Sequence, residues 1–460
     1  MNRTESDVKV LRICKIAHNV RSFLKNPIVI ITIIGLIIRL VIGIFLNYNY
    51  DVYHWGTIIQ NYESGNGLYG LDGYYYTPGW GYILGVISSF QNLLGVDMIG
   101  ERILEYLPIE NYTEWFLSAN ATTIAFNITL KLAIFICDIV VGYLIYWIIM
   151  DITHDKKKGT IAYALWFLCP FVITIAAVEG MFDTFSTLMT LLCIIFLMKN
   201  RYFLAGMMFC MAMLTKFFPG ILIFVLIAYV LLKHKDNIKE GLKCIVYAAM
   251  GVIITAIVMF FPQIMKNDIM VCFSFLTSRA STGLGGELGA IGGTGTIIAY
   301  LAIIIVSIII SIHVYKSPKE NADKTLLSMI MINITVIFLY PSTPQYMVLI
   351  VPFLAMYIVM YDRQFIKPWI VLAIGTTLFS LSGNFTDLMS IGAFTDILST
   401  QTVMDLSNWF QEPIFGLSKM GWIYYSGAIL QYAGTVLILW TYFKDKIYEC
   451  YHKSSKITDT

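Results

Sequence analysis

Apolar runs alternate with short polar segments along nearly the whole chain. Twelve of these runs are of about spanning length, judged against the roughly 20 residues that a bilayer requires. They lie at about 28–46, 126–150, 160–178, 184–198, 202–215, 217–232, 243–261, 296–315, 325–340, 346–360, 368–384 and 421–442. The pattern predicts an all-α membrane protein with about 12 transmembrane helices.

Several of the predicted spans pair into hairpins. The 31 residues between Arg201 and Lys233 are mainly apolar and are interrupted by "TKFFPG". As one helix they would measure about 46 Å, which is too long for a single crossing. The chain must therefore cross and return, with Lys216 at the tip, at or below the membrane interface. The same pattern places "VEGMFD" and "YPSTPQY" at the tips of two further hairpins.

Composition and charge strengthen this interpretation and give it an orientation. Of the 460 residues, 58% are hydrophobic and 13% charged, and the mean hydropathy of +0.73 excludes soluble globular classes. The N-terminus, the tail and every second connection together hold 24 of the 31 Lys and Arg residues. By the positive-inside rule, both termini are predicted to be cytoplasmic and the hairpin tips exterior. Of the eight cysteines only Cys272 falls in a segment placed outside, so no disulfide framework is expected.

The orientation divides the chain into a transmembrane domain and two cytoplasmic ends. The first apolar run has no small-residue cleavage site after it, which predicts a retained span. The predicted segments are a cytoplasmic N-terminus at 1–27, the transmembrane domain at 28–442 with exterior loops at about 47–125, 262–295 and 385–420, and a cytoplasmic tail at 443–460. The first loop is the largest, and amphipathic stretches such as "WGYILGVISSFQNLLG" predict interfacial helices in it.

Polar side chains collect on the predicted exterior face. They are Asp51 and His54 after the first span, Glu179 and Asp183 at one hairpin tip, Lys216 at another, Gln345 and Tyr346 at a third, and Arg279 in a glycine-rich loop. Any one of them could simply cap a helix or stay hydrated at the interface. Lys216 is harder to explain in that way, because a lysine near hydrocarbon needs an anionic partner or a hydrated cavity. Glu179 and Asp183 would share one face if their tip were helical.

Two further patterns have competing interpretations. Arg39 and Asp138 both lie near the middle of predicted spans, and the simpler interpretation is a structural ion pair rather than a functional one. The aromatic stretch "GLYGLDGYYYTPGWGY", which includes Tyr76, is typical of an aromatic belt at a membrane interface. The same rings could also form stacking platforms for sugars.

Carboxylates and cations gathered at the mouth of a helix bundle suit transfer of a group from a phosphorylated donor. A carboxylate can accept the proton of an attacking hydroxyl, and a cation can neutralise the departing phosphate. Because the chain has no soluble nucleotide-binding domain, a lipid-linked phosphosugar is the expected donor. No zinc-spaced Cys/His cluster and no basic nucleic-acid patch occur, so no nucleic-acid partner is expected.

The chain from Asp51 through "GNGLYGLDGYYYTPGWGYILG", "AAVEGMFDTFST", "AMLTKFFPGILIF" and "YPSTPQYMVLIVPF" resembles the GT-C superfamily of membrane glycosyltransferases. The similarity covers roughly residues 28–360. It is nearest to bacterial and archaeal polyprenyl-phosphate mannosyltransferase-like proteins and more remote from the mannosyltransferase of glycosylphosphatidylinositol assembly. The resemblance implies inverting transfer of a mannose-like hexose from a polyprenyl-phosphate donor to a glycolipid, glycan or protein hydroxyl on the exterior face of the bilayer.

The resemblance also implies roles for the candidate residues. Asp51 is the expected base, and the other expected roles are catalysis for Glu179 and Asp183, donor-phosphate binding for Lys216 and Arg279, and sugar or acceptor binding for His54, Tyr76, Gln345 and Tyr346. Metal-linked members of the superfamily often have Asp-x-Asp in the first exterior loop, whereas Val52 and Tyr53 follow Asp51 here. A divalent metal, Mg²⁺ or Mn²⁺, is therefore an open alternative, with Asp51 and His54 as its ligands. Otherwise His54 is a packing or orienting residue.

A transporter or a flippase of lipid-linked sugars is the alternative class. Such proteins also need about a dozen spans and charged groups within the membrane, but they bind near the midplane and are often built from two related halves. In this sequence the polar residues crowd one face and no internal repeat is visible. The pattern therefore favours the glycosyltransferase.

Overall fold

The structure is a computed structural model that describes residues 25–69, 74, 76–98, 122–267, 269–273, 293–340, 343–381, 388, 391, 395 and 397–458. Within these residues the chain is almost entirely helical. The α-helices are α1 Pro27–Phe45, α2 Asn49–Glu63, α3 Pro78–Leu94, α4 Ile124–Thr153, α5 Lys156–Phe167, α6 Pro170–Thr174, α7 Asp183–Met198, α8 Tyr202–Thr215, α9 Ile223–Lys233, α10 Ile238–Met265, α11 Gly293–Lys316, α12 Ala322–Ile337, α13 Val351–Met360, α14 Ile366–Leu381, α15 Thr400–Gln411 and α16 Lys419–Thr458.

Shorter elements connect these helices. A π-helix covers Ile175–Glu179, and 3₁₀ helices cover Phe218–Leu222, Ile269–Phe273, Lys319–Asn321, Pro344–Leu349 and Arg363–Phe365. The described residues contain one small antiparallel sheet, formed by strands β1 Pro413–Ile414 and β2 Leu417–Ser418.

Several helices are long and apolar enough to cross a bilayer. In the described part of the chain six segments meet this description: Pro27–Phe45, Ile124–Thr153, Ile238–Met265, Ile298–Lys316, Arg363–Leu381 and Lys419–Lys444. A seventh results if α5 and the bent helix Pro170–Glu179, which meet at 48°, count as one span. The chain is thus an all-α, multi-pass membrane protein. Four of the predicted spans correspond to shorter apolar helices: Asp183–Met198, Tyr202–Thr215, Phe218–Lys233 and Pro344–Met360.

Helices end at each of the three predicted hairpin tips. In "VEGMFD" the π-helix ends at Glu179, Gly180 adopts a left-handed conformation with φ 63°, and α7 begins at Asp183. In "TKFFPG" α8 ends at Thr215 and Lys216 is extended. The third tip, "YPSTPQY", follows the end of α12 at Ile337, and a 3₁₀ helix begins within it at Pro344.

Helix α8 crosses α10 through two glycines that permit backbone contact. A methyl group added to Gly206 would lie 1.9 Å from the Ala248 carbonyl oxygen, and one added to Gly251 would lie 2.1 Å from the Phe203 carbonyl oxygen. Small residues allow this kind of approach between membrane helices. Since Lys216 directly follows α8, the crossing also fixes where Lys216 lies.

The predicted ion pair between Arg39 and Asp138 is present in the core. Arg39 Nε lies 2.8 Å from Asp138 Oδ2, and both side chains are fully buried. The Arg39 guanidinium also donates to the Phe167 carbonyl oxygen, at 2.8 Å, and the Trp166 indole donates to the Asp138 carbonyl oxygen, at 2.9 Å. The pair therefore joins α1, α4 and α5.

Candidate functional site

A buried ion pair between Asp183 and Lys216 forms the centre of the site. Lys216 Nζ lies 3.3 Å from Asp183 Oδ2, and both side chains are buried. Asp183 is in the first turn of α7, where a carboxylate interacts favourably with the helix dipole. The Ser186 hydroxyl donates to the Ala212 carbonyl oxygen at 3.0 Å and ties α7 to the end of α8. Lys216 thus has the anionic partner that its position in the sequence requires.

Three aromatic rings surround the Lys216 ammonium group. The distances from Nζ to the ring centroids are 4.6 Å for Phe182, 5.0 Å for Tyr346 and 5.4 Å for Tyr76. All three distances are within the range of cation–π attraction. The rings come from three separate parts of the chain, so the site forms only when the predicted hairpin tips pack together.

Asp51 lies in the first turn of α2, close enough to this pair for its ionisation to respond to both charges. Burial raises the pKa of Asp51 to about 7, the Lys216 ammonium lowers that pKa, and the Asp183 carboxylate raises it. Near neutral pH the Asp51 carboxyl is therefore poised between its protonated and ionised forms. A group that titrates near the working pH is well suited to accept and release a proton.

The turn at Gly180 sets the position of Asp51. The Tyr48 backbone N–H donates to the Val178 carbonyl oxygen at 2.8 Å, which attaches the start of α2 to the π-helix. Gly180, with its positive φ, packs against Val52, where an added methyl group would be 3.1 Å from Cγ2. Glycine suits both the left-handed backbone and the close approach. The neighbour of Val52 is Asp51, so the turn and the carboxyl are held together.

Most of the aromatic residues near the site pack against one another. Phe182 stacks on Trp80 with 5.0 Å between ring centroids and 14° between planes, and it meets Trp55 edge-on at 5.4 Å. These three rings are almost fully buried, which makes them a support for the site rather than an open sugar platform. Tyr76 and Tyr346 are half-buried, and burial raises the pKa of Tyr76 to about 12, so its phenol stays protonated.

Glu179 and Asp183 do not share a helical face. The chain turns at Gly180 between them, and a π-helix ends where the single helix would have to continue. The buried Glu179 accepts a hydrogen bond from Ser380 of α14, whereas Asp183 pairs with Lys216. The two carboxylates therefore have different partners and cannot be treated as one unit.

The structure describes two of the three remaining candidate residues, His54 and Gln345, and both are half-buried. His54 is half-buried, its ring centroid lies 5.1 Å from that of Trp55, and burial lowers its pKa, which favours the neutral imidazole. Gln345 is half-buried in the 3₁₀ helix beside Tyr346. Arg279 lies outside the described residues.

Two residues of the site were missed by the sequence analysis. Phe182 is apolar within an apolar region, so nothing in the sequence marks its contact with Lys216. Lys131 is fully buried in α4, and its ammonium donates to the Leu46 carbonyl oxygen at 3.3 Å. Its side chain also approaches Gly180, with Cε 3.8 Å from the position of an added methyl group. The available signal was a lysine within an apolar run on the side of the membrane where cations are rare.

One cavity lies just beyond the end of α8, at Lys216, and a groove runs along α8 itself. The small cavity of about 10 Å³, roughly the space for one water molecule, is lined by polar and aromatic groups that include Asp183, Lys216 and Tyr346. The larger groove of about 300 Å³ between α8, α9 and α10 is lined by apolar residues, among them Phe209 and Met213. Met213, three residues before Lys216, lies at the end of the groove that is nearest to Lys216 in the sequence, and the groove and the small cavity share no lining residue.

A divalent metal would need several ligating side chains close together in the site. Among the described residues no three His, Cys, Asp or Glu side chains form a group that could hold a metal ion. Asp51 and His54 remain the ligands to test for Mg²⁺ or Mn²⁺.

No known family profile matches the chain, and no curated protein is significantly similar to it. The resemblance to GT-C glycosyltransferases accordingly rests on the motifs themselves.

Proposed function

We propose that the protein transfers a mannose-like hexose from a polyprenyl-phosphate donor to an acceptor hydroxyl. The observation that carries this proposal is the arrangement at Lys216: a buried cation lies between Asp183 and three rings, with a second carboxyl, Asp51, within its electrostatic influence. A base and a phosphate-binding cation are the two groups that such a transfer requires.

The reaction follows from the roles of these two residues. Ionised Asp51 accepts the proton of the acceptor hydroxyl as its oxygen attacks the anomeric carbon of the sugar. The bond between that carbon and the phosphate oxygen breaks, and the polyprenyl phosphate departs with the bonding electrons. Lys216 neutralises the charge that develops on the phosphate. Attack opposite the leaving group inverts the configuration at the anomeric carbon.

Asp183 has a supporting role in this scheme. A lysine ammonium has three N–H donors, so Lys216 can bond Asp183 and still offer donors to a phosphate oxygen. The Asp183 carboxylate offsets the cost of burying the cation before the donor arrives. Glu179, expected from the sequence to be catalytic, bonds Ser380 rather than Lys216 and has no step in this scheme.

The apolar groove supports a lipid donor. Its lining is apolar over about 300 Å³ and includes Met213, three residues before Lys216. A prenyl chain in the groove would place its phosphate at the lysine. A soluble nucleotide sugar would gain nothing from such a surface.

The membrane arrangement that we propose keeps the site on the exterior face. The short apolar helices pair into hairpins, which gives about 12 spans with both termini cytoplasmic. The basic connections on one side and the acidic residues Glu179 and Asp183 at a tip on the other support this orientation. Helices α2 and α3 would lie at the exterior interface, as the amphipathic pattern of the first loop indicates.

The direct test is sugar transfer by purified protein in lipid nanodiscs. We expect label to pass from a polyprenyl-phosphate hexose to a glycolipid or glycan acceptor, and Asp51→Asn to reduce turnover by roughly 10²- to 10⁴-fold, the loss typical of a general base. Glu63→Gln is the matched control, because it makes the same change to an exposed carboxylate at the other end of α2.

Three outcomes would contradict the proposal. Incorporation only from a nucleotide sugar would exclude the lipid donor, and full activity in well-folded Asp51→Asn would exclude the base. Transbilayer movement of the lipid-linked sugar without transfer would establish the flippase alternative. Loss of activity with EDTA, restored by Mg²⁺ or Mn²⁺, would add a metal to the mechanism.

A further inference from the structure

A hairpin outside the candidate site places a large apolar side chain at its tip. Strands β1 and β2 are joined by the two residues Phe415 and Gly416, both with positive φ, at 52° and 80°. A two-residue turn with two positive φ angles favours Asn, Asp or Gly. Phenylalanine is strained there, because its Cβ crowds the left-handed backbone. Yet Phe415 is 95% exposed, so packing within the protein does not explain its presence.

A hydrogen bond fixes the hairpin at the level of Trp422. The Trp422 indole donates to the Ile414 carbonyl oxygen at 2.9 Å, so the hairpin lies beside the first turn of α16. Trp422 and Trp440 are both exposed, at 45% and 59%, and are 18 residues apart in this helix. That spacing corresponds to about 27 Å, close to the roughly 30 Å of a hydrocarbon core. Tryptophans concentrate at the two membrane interfaces, so Trp422 marks one of them.

The hairpin continues the lipid-facing surface of α16. Exposed apolar side chains recur along this helix at intervals of three, four or seven residues: Trp422, Tyr425, Ile429, Val436, Trp440 and Phe443. Ile414 and Phe415 extend this surface beyond the helix, and so does Trp409 of α15. Lys419 lies over the Trp409 ring, 3.6 Å from its centroid, and pairs with Glu412 at 2.7 Å. An amphipathic lysine and tryptophan are typical of the boundary between headgroups and acyl chains.

We propose that residues 413–418 form a membrane-inserting hairpin whose Phe415 side chain enters the headgroup–acyl boundary of the bilayer that α16 crosses. The occupant of this surface is lipid, because the surface is continuous with the lipid-facing side of a spanning helix and lies at the level of an interfacial tryptophan. The hairpin holds α15 against the membrane. The inference is independent of the proposed glycosyl transfer.

The depth of residue 415 can be measured with a fluorophore. Phe415→Cys and Gln401→Cys, an exposed polar position at the start of α15, are labelled with the same environment-sensitive dye in nanodiscs. We expect lipids brominated near the headgroup end of their acyl chains to quench the dye at 415 several-fold more strongly than the dye at 401. Equal quenching at the two positions would overturn the proposal. So would energy transfer between labelled copies that rises with protein density, which would identify a second copy as the occupant.

A second pair of variants separates insertion from folding of the turn. Phe415→Asn suits the left-handed backbone and removes the apolar side chain, whereas Phe415→Trp keeps an apolar ring. We expect amide hydrogen exchange across residues 399–418 in nanodiscs to become faster in Phe415→Asn and to stay unchanged in Phe415→Trp. Slower or unchanged exchange in Phe415→Asn would show that the side chain anchors nothing.

Discussion

Burial and the charge of Lys216 act in opposite directions on the ionisation of Asp51. The pKa of Asp51 is raised to about 7 by burial in spite of the nearby ammonium group, which acts in the opposite direction. Asp51 therefore loses its proton as the pH rises through about 7. Only the ionised carboxylate can act as a base, so the pH profile of the proposed sugar transfer should report this residue.

We expect turnover of the wild-type protein to rise with pH, with a midpoint near 7. Lys216→Met removes the cation that lowers the pKa of Asp51, so the midpoint should move to higher pH, and donor use should weaken. Lys216→Arg keeps the charge and should leave the midpoint near its original value, with partial loss of donor use because the geometry changes. Initial rates against pH at saturating and limiting donor concentration measure both effects. An unchanged midpoint in Lys216→Met would show that Asp51 is not the titrating group.

The raised pKa of Asp51 also affects folding stability. As the pH rises, the expected activity increases, whereas the contribution of Asp51 to the free energy of unfolding decreases. The folded-state pKa of Asp51 lies above the ordinary value of 3.8, so the protonated form favours folding. That contribution is complete below pH 3.8 and is lost as the pH rises through about 7. Asp51→Asn, which cannot ionise, should therefore lose activity without loss of stability at pH 8. If Asp51 had only a structural role, Asp51→Asn would lower the stability of the protein and leave the activity of the folded protein unchanged.

The partner of Lys216 could be predicted by type but not by identity. A lysine near hydrocarbon requires an anion, and two acidic residues lay on the neighbouring tip. Asp183 is the partner because Gly180 turns the chain and separates it from Glu179. The glycine was visible in the sequence, but the direction in which each carboxylate points depends on the packing of α7 and α14.

At the level of helices, the crossing of α8 and α10 determines the placement of the site. The backbones are in contact at Gly206 and Gly251, and α8 leads directly to Lys216. Nothing in the apolar pattern distinguishes these glycines from others, because the pattern gives the faces of a helix but not its neighbour. The helix ends at the hairpin tips, by contrast, follow from local breaks such as Pro219 and Gly180 and could be predicted.

Gly206→Ala should destabilise the protein by about 1–2 kcal/mol, since the new methyl group meets the Ala248 backbone and the helices must separate. The shift would carry Lys216 away from Asp183, so donor use should fall as well. Gly85→Ala in α3 is the matched control, because its methyl group would make an ordinary contact with the Tyr62 ring at 3.4 Å. Thermal unfolding in nanodiscs and donor KM measure the two effects. Equal stability of both variants would contradict the close crossing.

At the scale of the whole molecule, the polar site lies where separate breaks in the helical chain meet. The start of α2, the turn at Gly180 and the tips after α8 and α12 supply its groups. The sequence predicted that these tips share one face of the membrane, because charge asymmetry acts over the whole chain. It could not predict which rings would surround the cation, since that depends on contacts between distant segments.

The proposed orientation predicts where an impermeant thiol reagent can reach. Single cysteines at the exposed positions Asn66 and Thr343 should react from outside intact cells, whereas cysteines at Lys157 and Lys319 should react only after permeabilisation. Basic residues are concentrated around Lys157 and Lys319, which predicts the cytoplasmic side. They are scarce around Asn66 and Thr343, which predicts the exterior side. If Thr343→Cys were labelled only from the cytoplasmic side, the orientation of the protein in the membrane would be opposite to the one proposed, and the site would be cytoplasmic.

The buried pair between Arg39 and Asp138 also orders events during biosynthesis. The two residues are 99 positions apart, which is roughly 5–20 s of translation at the usual rates of about 5–20 residues per second. Helix α1 leaves the ribosome with an arginine at its centre, and the insertion of such a residue costs about 2.5–3.5 kcal/mol. Its counter-ion is synthesised only with α4. Helix α1 therefore gains its buried counter-ion only after α4 has been inserted beside it.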